Sequence, residues 1–335
     1  MKFSDLMLDI ASGDSSINDV YIQEAMGKIN VSSSIFDAAY LISELPGEDI
    51  SFVQEAADAN GLPTDKEGAV GVANEAVFRE LEAFYDLTIS TAKKVKEAAN
   101  KSLVGLRTVG KKLGVNGSSD YLNGFVKPLQ DAFAKAYPKG IKLDDKSGFV
   151  KSKYATRMTE TYCKGMANIL GAYGVSLGDV FKDEIVEMVV RIPSGMLHVR
   201  DNSATSSKYD LKDLKSQLST GGKQLAFDKQ VSRNIHYTDT IKADNLSAFA
   251  ISLYTLIAVS DAIIKAGKQK KKAIGEVKRV VANCTNTKRV TSSCQDINDG
   301  VKEWSSNLNS LAGNITKVFY DSIYGLGGAL GGKKA

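Results

Sequence analysis

The segment that comes nearest to a chemical motif is residues 105–112, which read GLRTVGKK. The pattern G-x-x-x-x-G-K-[ST] surrounds nucleotide phosphates with backbone N–H groups and a lysine, and its last residue binds magnesium. Lys112 stands at that last position, and the preceding residues predict a helix where the motif needs a β-strand. The Gly-rich end of the chain also fails as a dinucleotide fingerprint, since Leu330 occupies the place of the third glycine. We therefore predict no cofactor.

The histidines and cysteines form no pattern that would support catalysis or metal binding. His198 and His236 are the only histidines, and neither has a carboxylate or a second histidine at ligand spacing. Cys163, Cys284 and Cys294 are too few and too scattered for a zinc site or a disulfide framework. No G-x-S-x-G elbow accompanies a nucleophile. We predict no catalytic residue and no metal site, and we interpret the chain as not an enzyme.

The same residues bear on where the protein is made. Asp5 and Asp9 interrupt the apolar run that a secretory signal peptide requires, so we expect no export by that route. The sparse cysteines favour a reducing compartment such as the cytoplasm.

Charge is sorted along the chain. Residues 1–90 contain 4 Lys/Arg and 17 Asp/Glu, whereas residues 91–335 contain 39 and 22, within an overall net charge of +4. Such asymmetry is typical of chains that meet a charged partner or another copy of themselves. Part of it has a local explanation, because acid before base along one helix also suits the helix macrodipole.

Composition and periodicity predict a mainly α fold of helical bundles. The chain has only 5 Pro in 335 residues, and a stripe at helical spacing (Phe78, Leu81, Tyr85, Thr88, Ala92, Val95, Ala99) predicts a long helix from Asp65. We predict a small β-hairpin at Ile185–Arg200, where apolar runs flank Pro193-Ser194-Gly195. The predicted units are an acidic helical unit (1–104), a Gly/Ser linker (105–120), a basic central unit with the hairpin and a polar loop (121–242), a long-helix region (243–324) and a Gly-rich tail (325–335).

A heptad-patterned seam marks the C-terminal third. Its apolar residues step by four and three, as in a helix that packs along one side against other helices: Val290, Cys294, Ile297, Val301, Trp304, Leu308, Leu311, Ile315 and Val318. The pattern suits a coiled coil between chains or a bundle within one chain, and the bundle is the simpler interpretation. The glycines of 325–335 predict a mobile tail unless a neighbouring chain holds it.

A basic cluster is the strongest sign of a charged partner. Residues 265–279 contain one acid, Glu276, and seven cations: Lys265, Lys268, Lys270, Lys271, Lys272, Lys278 and Arg279. These cations could contact the phosphates of a nucleic acid or lie on a solvated helix face, and no aromatic residue among them would stack on bases. The uncharged stretch just before it, Leu246–Ser260, predicts a buried core helix, with membrane activity as the less favoured alternative.

These features favour a protein that works through its surfaces. We interpret the chain as a non-enzymatic structural subunit of a large repeated assembly, whose partners are other copies of itself or other subunits. The alternatives are a basic nucleic-acid-associated protein and a membrane-active helical protein. In overall character the chain resembles virion structural proteins of tailed bacteriophages, which implies assembly into a particle made in the cytoplasm.

Overall fold

The computed structural model describes residues 15–44, 61–116, 122–143, 148–172, 235, 237–282 and 287–331, and it confirms a mainly α fold. The predicted hairpin at 185–200, both histidines, Cys284 and residues 332–335 lie outside these ranges. The helices are α1 (Ser15–Glu44), α2 (Lys66–Lys112), α3 (Lys127–Ala136), α4 (Ser152–Ala172), α5 (Ala243–Ala266), α6 (Lys270–Ala282) and α7 (Thr287–Gly331), with a π-helical turn at Leu122–Val126 and a 3-10 turn at Gly267–Gln269.

Helix α2 is the central element and packs against α1, α5, α6 and α7. It begins at Asp65, whose Oδ1 accepts a hydrogen bond from the backbone N–H of Gly68 at 2.7 Å, which satisfies a donor that the first turn leaves unpaired. Its 47 residues give a length of about 70 Å at 1.5 Å per residue. The predicted stripe from Phe78 to Ala99 is buried, as the spacing requires.

The structure corrects the predicted start of the linker at residue 105, because residues 105–112 form the last turns of α2. Gly105 and Gly110 are buried there. A Cβ on Gly105 would lie 2.6 Å from Cγ2 of Ile323, so the glycine allows α2 and α7 to approach closely. The helix ends just before Gly114, whose φ of +80° suits a residue without a side chain. Gly105 and Gly110 therefore serve helix packing.

Helix α7 runs along the core of its own chain and packs against α1, α2 and the strand Phe149–Val150. Eight of the nine seam residues, Cys294 to Val318, are buried, and the side chain of Val290 is outside the described part. Trp304 is fully buried, with its ring 5.2 Å from that of Phe84. The seam thus closes within one chain, as the simpler interpretation had it.

The C-terminal glycines differ from the prediction of a mobile tail. Residues 325–331 continue α7, and Leu326 is fully buried. Burial of Leu326 and Ile323 anchors this end of α7 to the core, and this packing offsets the entropy that the glycines lose.

Two short antiparallel strand pairs join the segment before α4 to the segment before α5. β1 (Ile141–Lys142) pairs with β4 (Thr240–Ile241), and β2 (Phe149–Val150) pairs with β3 (Tyr237–Thr238). The N–H of Val150 also donates to Oγ of Ser322 at 3.1 Å, which joins the strands to α7. The sequence analysis missed these pairs, because strands of two residues carry no alternation to detect.

The core is continuous from α1 to α7 and both strand pairs. Aromatic rings connect its layers: Phe249 of α5 lies 4.9 Å from Phe149 and 4.8 Å from Phe319, measured between ring centroids. Tyr162 of α4 and Ser260 of α5 share a buried hydrogen bond of 2.8 Å. The predicted core helix within Leu246–Ser260 is therefore part of α5.

Candidate interaction surfaces

A groove of about 750 Å³ lies between α1 and the N-terminal half of α2. Gly27, Val31 and Ile35 form part of its α1 wall. The α2 wall mixes small apolar residues with charged ones: Val72, Glu75, Ala76, Arg79, Glu82, Ala83 and Asp86. The lining combines apolar, acidic and basic side chains and contains neither histidine nor cysteine.

An apolar stripe on the outer side of α1 borders this groove. Ile17, Val20, Tyr21 and Val31 are 51%, 63%, 52% and 62% exposed, and we call them the α1 stripe. They account for half of the exposed large apolar side chains in the described part of the chain. Exposed apolar side chains gathered on one side of a helix mark a candidate interaction site, here with the charged Glu24 and Lys28 among them.

Sequence reasoning did not identify the α1 stripe. The opposite face of α1 is also apolar, and its residues Ile22, Ala25 and Ile29 are buried in the core. A helix that is apolar on two sides needs two partners. Apolar residues on both sides of α1 were therefore the sequence signal that could have indicated the α1 stripe.

The structure pairs part of the basic cluster with acids of α2. Lys270 forms an ion pair with Asp86, and Lys278 lies 3.9 Å from Glu75 and over the ring of Phe78. Lys265, Lys268, Lys271, Lys272, Lys278 and Arg279 are exposed. Part of the cluster therefore pairs with acids of α2, and six of its seven cations remain exposed.

The charge asymmetry of the sequence is partly satisfied within the fold. In α1, Asp19 accepts from Lys94 at 2.5 Å, and Asp37 accepts from Lys302 at 2.8 Å. Asp86 of α2 pairs with Lys270, as above. Acids of the first 90 residues thus pair with lysines from the rest of the chain. The charge asymmetry therefore contributes ion pairs within the fold.

A buried acid, Glu80 of α2, faces charged groups of α1 and α7. Its pKa is raised to about 9, chiefly by burial; Lys302 lowers the pKa, and Asp37 and Asp299 raise it by smaller amounts. Its side chain is fully buried, and neither carboxyl oxygen has a hydrogen-bond partner in the described structure. Glu80 is therefore protonated at neutral pH, and without access to solvent it has no route to a substrate.

The remaining reactive groups show no site in the described residues. Cys163 and Cys294 are buried thiols whose pKa values are raised by burial to about 12, which leaves them protonated and unreactive. No cluster of three His, Cys, Asp or Glu side chains within these ranges could hold a metal ion.

One helical run, Ala243–Arg279, is long and apolar enough to cross a membrane by length and composition. Of its most apolar window, 61% is buried inside the fold. Core helices of soluble proteins meet the same criterion, and the buried side chains of α5 pack on α2, α3 and α4. This run therefore lends little support to a membrane function.

No protein family, curated protein or solved structure matches this chain.

Proposed function

We propose that the chain is a non-enzymatic structural subunit of a repeated macromolecular assembly. The observation that carries the proposal is the α1 stripe, which leaves four large apolar side chains in solvent on a helix whose other face is already buried. Burying such side chains against a partner contributes about 1.5–3 kcal/mol each at full burial, which is a sufficient reason for association. From the overall character of the sequence, the assembly that we propose is the virion of a tailed bacteriophage.

Two features support a surface function over catalysis. The titratable group with the largest perturbation toward neutral pH, Glu80, is sealed in the core. The groove beside the α1 stripe is lined by apolar and ion-paired side chains, since Arg79 contacts Glu75 at 3.6 Å and Lys270 pairs with Asp86. A wall of this kind offers shape and charge to a protein partner but no activated nucleophile.

Light scattering and electron microscopy of the purified full chain test the proposal. We expect species larger than a monomer at high concentration, and we expect Val31→Lys to reduce them because it places a charge in the α1 stripe. Val104→Lys is the matched control, since Val104 is 48% exposed but lies on α2 away from the stripe. A strict monomer at every concentration, or equal effects of the two variants, would contradict the proposal.

A second proposal is contact with nucleic acid through Lys268, Lys271 and Lys272, which are exposed on one short stretch of chain. Three phosphate contacts give a log–log salt dependence of about −3, whereas seven would give about −6. Duplex binding with the smaller slope, weakened in a Lys271→Ala/Lys272→Ala variant, would support this function. Binding that is unchanged in the variant would exclude it.

A further inference from the structure

The exposed face of α1 carries a charge and size pattern that is its own complement. At 100° per residue, Ile17, Tyr21, Glu24, Lys28, Val31 and Ile35 lie within about 40° of one line along the helix. Glu24 and Lys28 lie near the middle of this line and form an exposed i,i+4 ion pair of 2.7 Å. Apolar residues flank the pair on both sides.

The face has matching positions at equal distances on either side of Met26. Glu24 and Lys28 lie two residues on either side of it and are oppositely charged. Farther out, Tyr21 is matched by Val31, both of them exposed, and Ile17 is matched by Ile35 at the edge of the groove.

We propose that this face joins two copies of the chain through antiparallel pairing of their α1 helices about a two-fold axis at the level of Met26 along the helix. The inference rests on the proposed structural function and names its first partner. Around such an axis each Glu24 faces Lys28 of the second copy, and each Tyr21 faces Val31. The charge pattern thus selects a second copy of this chain, since the face presents the complement of each of its own charges.

Charge also determines the direction of the pairing. A parallel arrangement in register would place Glu24 beside Glu24 and Lys28 beside Lys28, and like charges repel across such a contact. The antiparallel arrangement turns both into attractive pairs. The pattern therefore gives a closed dimer rather than an open chain of copies at this surface.

The surface beside the axis leaves room for a second helix. Gly27 has no side chain, and a Cβ placed on it would have no atom within 4 Å. It lies in the wall of the groove between α1 and α2, together with Val31 and Ile35. A helix flank from the second copy can approach closely at Gly27 and place apolar side chains along the groove.

The expected contact is small. From residue 17 to residue 35 the face is about 27 Å long and about one helix wide, near the lower end of specific interfaces. We therefore expect a dimer of micromolar affinity, which is suited to a subunit that is held in place by further contacts in an assembly.

A charge-exchange experiment on the full chain tests the pairing. Glu24→Lys alone gives each copy two lysines at the axis, and Lys28→Glu alone gives each copy two glutamates. By sedimentation velocity from about 1 µM to about 500 µM we expect each variant alone to dimerise at least about tenfold more weakly than the unchanged chain. An equimolar mixture of the two should dimerise within about threefold of the unchanged chain, because both cross-axis pairs are restored.

The mixture separates the contact between chains from effects within one helix. Each variant loses the ion pair between residues 24 and 28 of its own chain, and mixing cannot restore that pair. The matched control is Asp131→Lys mixed with Lys135→Glu, an exposed acid and base at the same spacing on α3. We expect neither control variant to change dimerisation.

Each result has a definite meaning. A mixture no stronger than its components, or a dimer unaffected by either change, overturns the α1 pairing but leaves the proposed function standing. A chain that is monomeric throughout overturns both. Should the charge variants fold poorly by circular dichroism, oxidation of Tyr21→Cys mixed with Val31→Cys replaces them. A disulfide dimer that forms faster in the mixture than in either alone supports the pairing, and equal rates overturn it.

Discussion

Replacing Glu80 by glutamine tests the description of the core most directly. The change keeps the size and shape of the side chain and removes its titration. In the fold the pKa of Glu80 is raised from 4.5 to about 9, chiefly because burial disfavours the charged carboxylate. In the unfolded chain the same carboxyl ionises near its ordinary pKa.

The sign of the effect follows from the protons bound in each state. Below pH 4.5 both states hold the proton, so Glu80 has no pH-dependent effect there. Between the two pKa values only the folded chain holds the proton on Glu80. Each unit by which the pH rises in this range therefore lowers the free energy of unfolding by about 1.4 kcal/mol. At pH 7 this amounts to about 3 kcal/mol relative to a side chain that never ionises.

We expect Glu80→Gln to be increasingly favourable as the pH rises. The measurement is urea unfolding followed by circular dichroism at several pH values from about 5 to about 8. The difference in unfolding free energy between the variant and the unchanged chain should grow by about 1.4 kcal/mol per pH unit. Because its absolute value also contains the cost of burying the amide, the slope is the quantity to compare.

Glu82→Gln is the matched control, since Glu82 is exposed on the same helix. We expect it to change the free energy of unfolding by less than about 0.5 kcal/mol. A flat difference for Glu80→Gln over this pH range would refute the reasoning, because it would mean that Glu80 ionises in the fold and that charged or hydrated groups reach it.

Three further predictions address packing and charge. Gly105→Ala should lower the free energy of unfolding by about 1–3 kcal/mol, since the new Cβ would lie 2.6 Å from a side-chain carbon of α7. Gly71→Ala, whose new Cβ has no atom within 4 Å, should raise the free energy of unfolding by about 0.5–1 kcal/mol. Urea unfolding measures both variants, and equal effects would contradict the close approach of α2 and α7. Trp304→Ala should cost about 3–5 kcal/mol, and the fluorescence of this only tryptophan should shift to the red on unfolding, so an emission already at the solvent value in the folded chain would contradict its burial. Any duplex binding by the chain should weaken with salt, and the slope of log affinity against log salt concentration should be smaller in magnitude by about 2 in Lys271→Ala/Lys272→Ala than in the unchanged chain. An unchanged slope would place the phosphate contacts elsewhere.

Local periodicity predicted the main helices well. The stripe from Phe78 to Ala99 and the seam from Cys294 to Val318 are buried because helical spacing places their side chains on one side of an axis. Such spacing is a property of neighbouring residues and needs no knowledge of the partner. The same reasoning misread the glycines at 105–112 and 325–331, because a glycine at a helix contact and a glycine in a flexible segment have the same local signature.

The candidate surface was harder to foresee. Helix α1 has apolar residues on two sides, and only the packing against α2 shows which side is left exposed. Glu80 offered a signal that was available, since it lies three residues after Val77 and four before Phe84 on the buried side of α2. A charged residue at that position predicts either a buried partner or a neutral acid.

The amino-acid order alone therefore determined the helical class, the long central helix and the C-terminal seam, because each depends on residues within a few turns of one another. The tertiary structure decided which charges meet and which faces remain open. Lys94 and Asp19 are 75 residues apart, and Lys302 and Asp37 are 265 apart. Pairing and burial at such separations depend on how the helices pack, and that packing turned a segregated charge pattern into internal ion pairs and left the α1 stripe exposed to solvent.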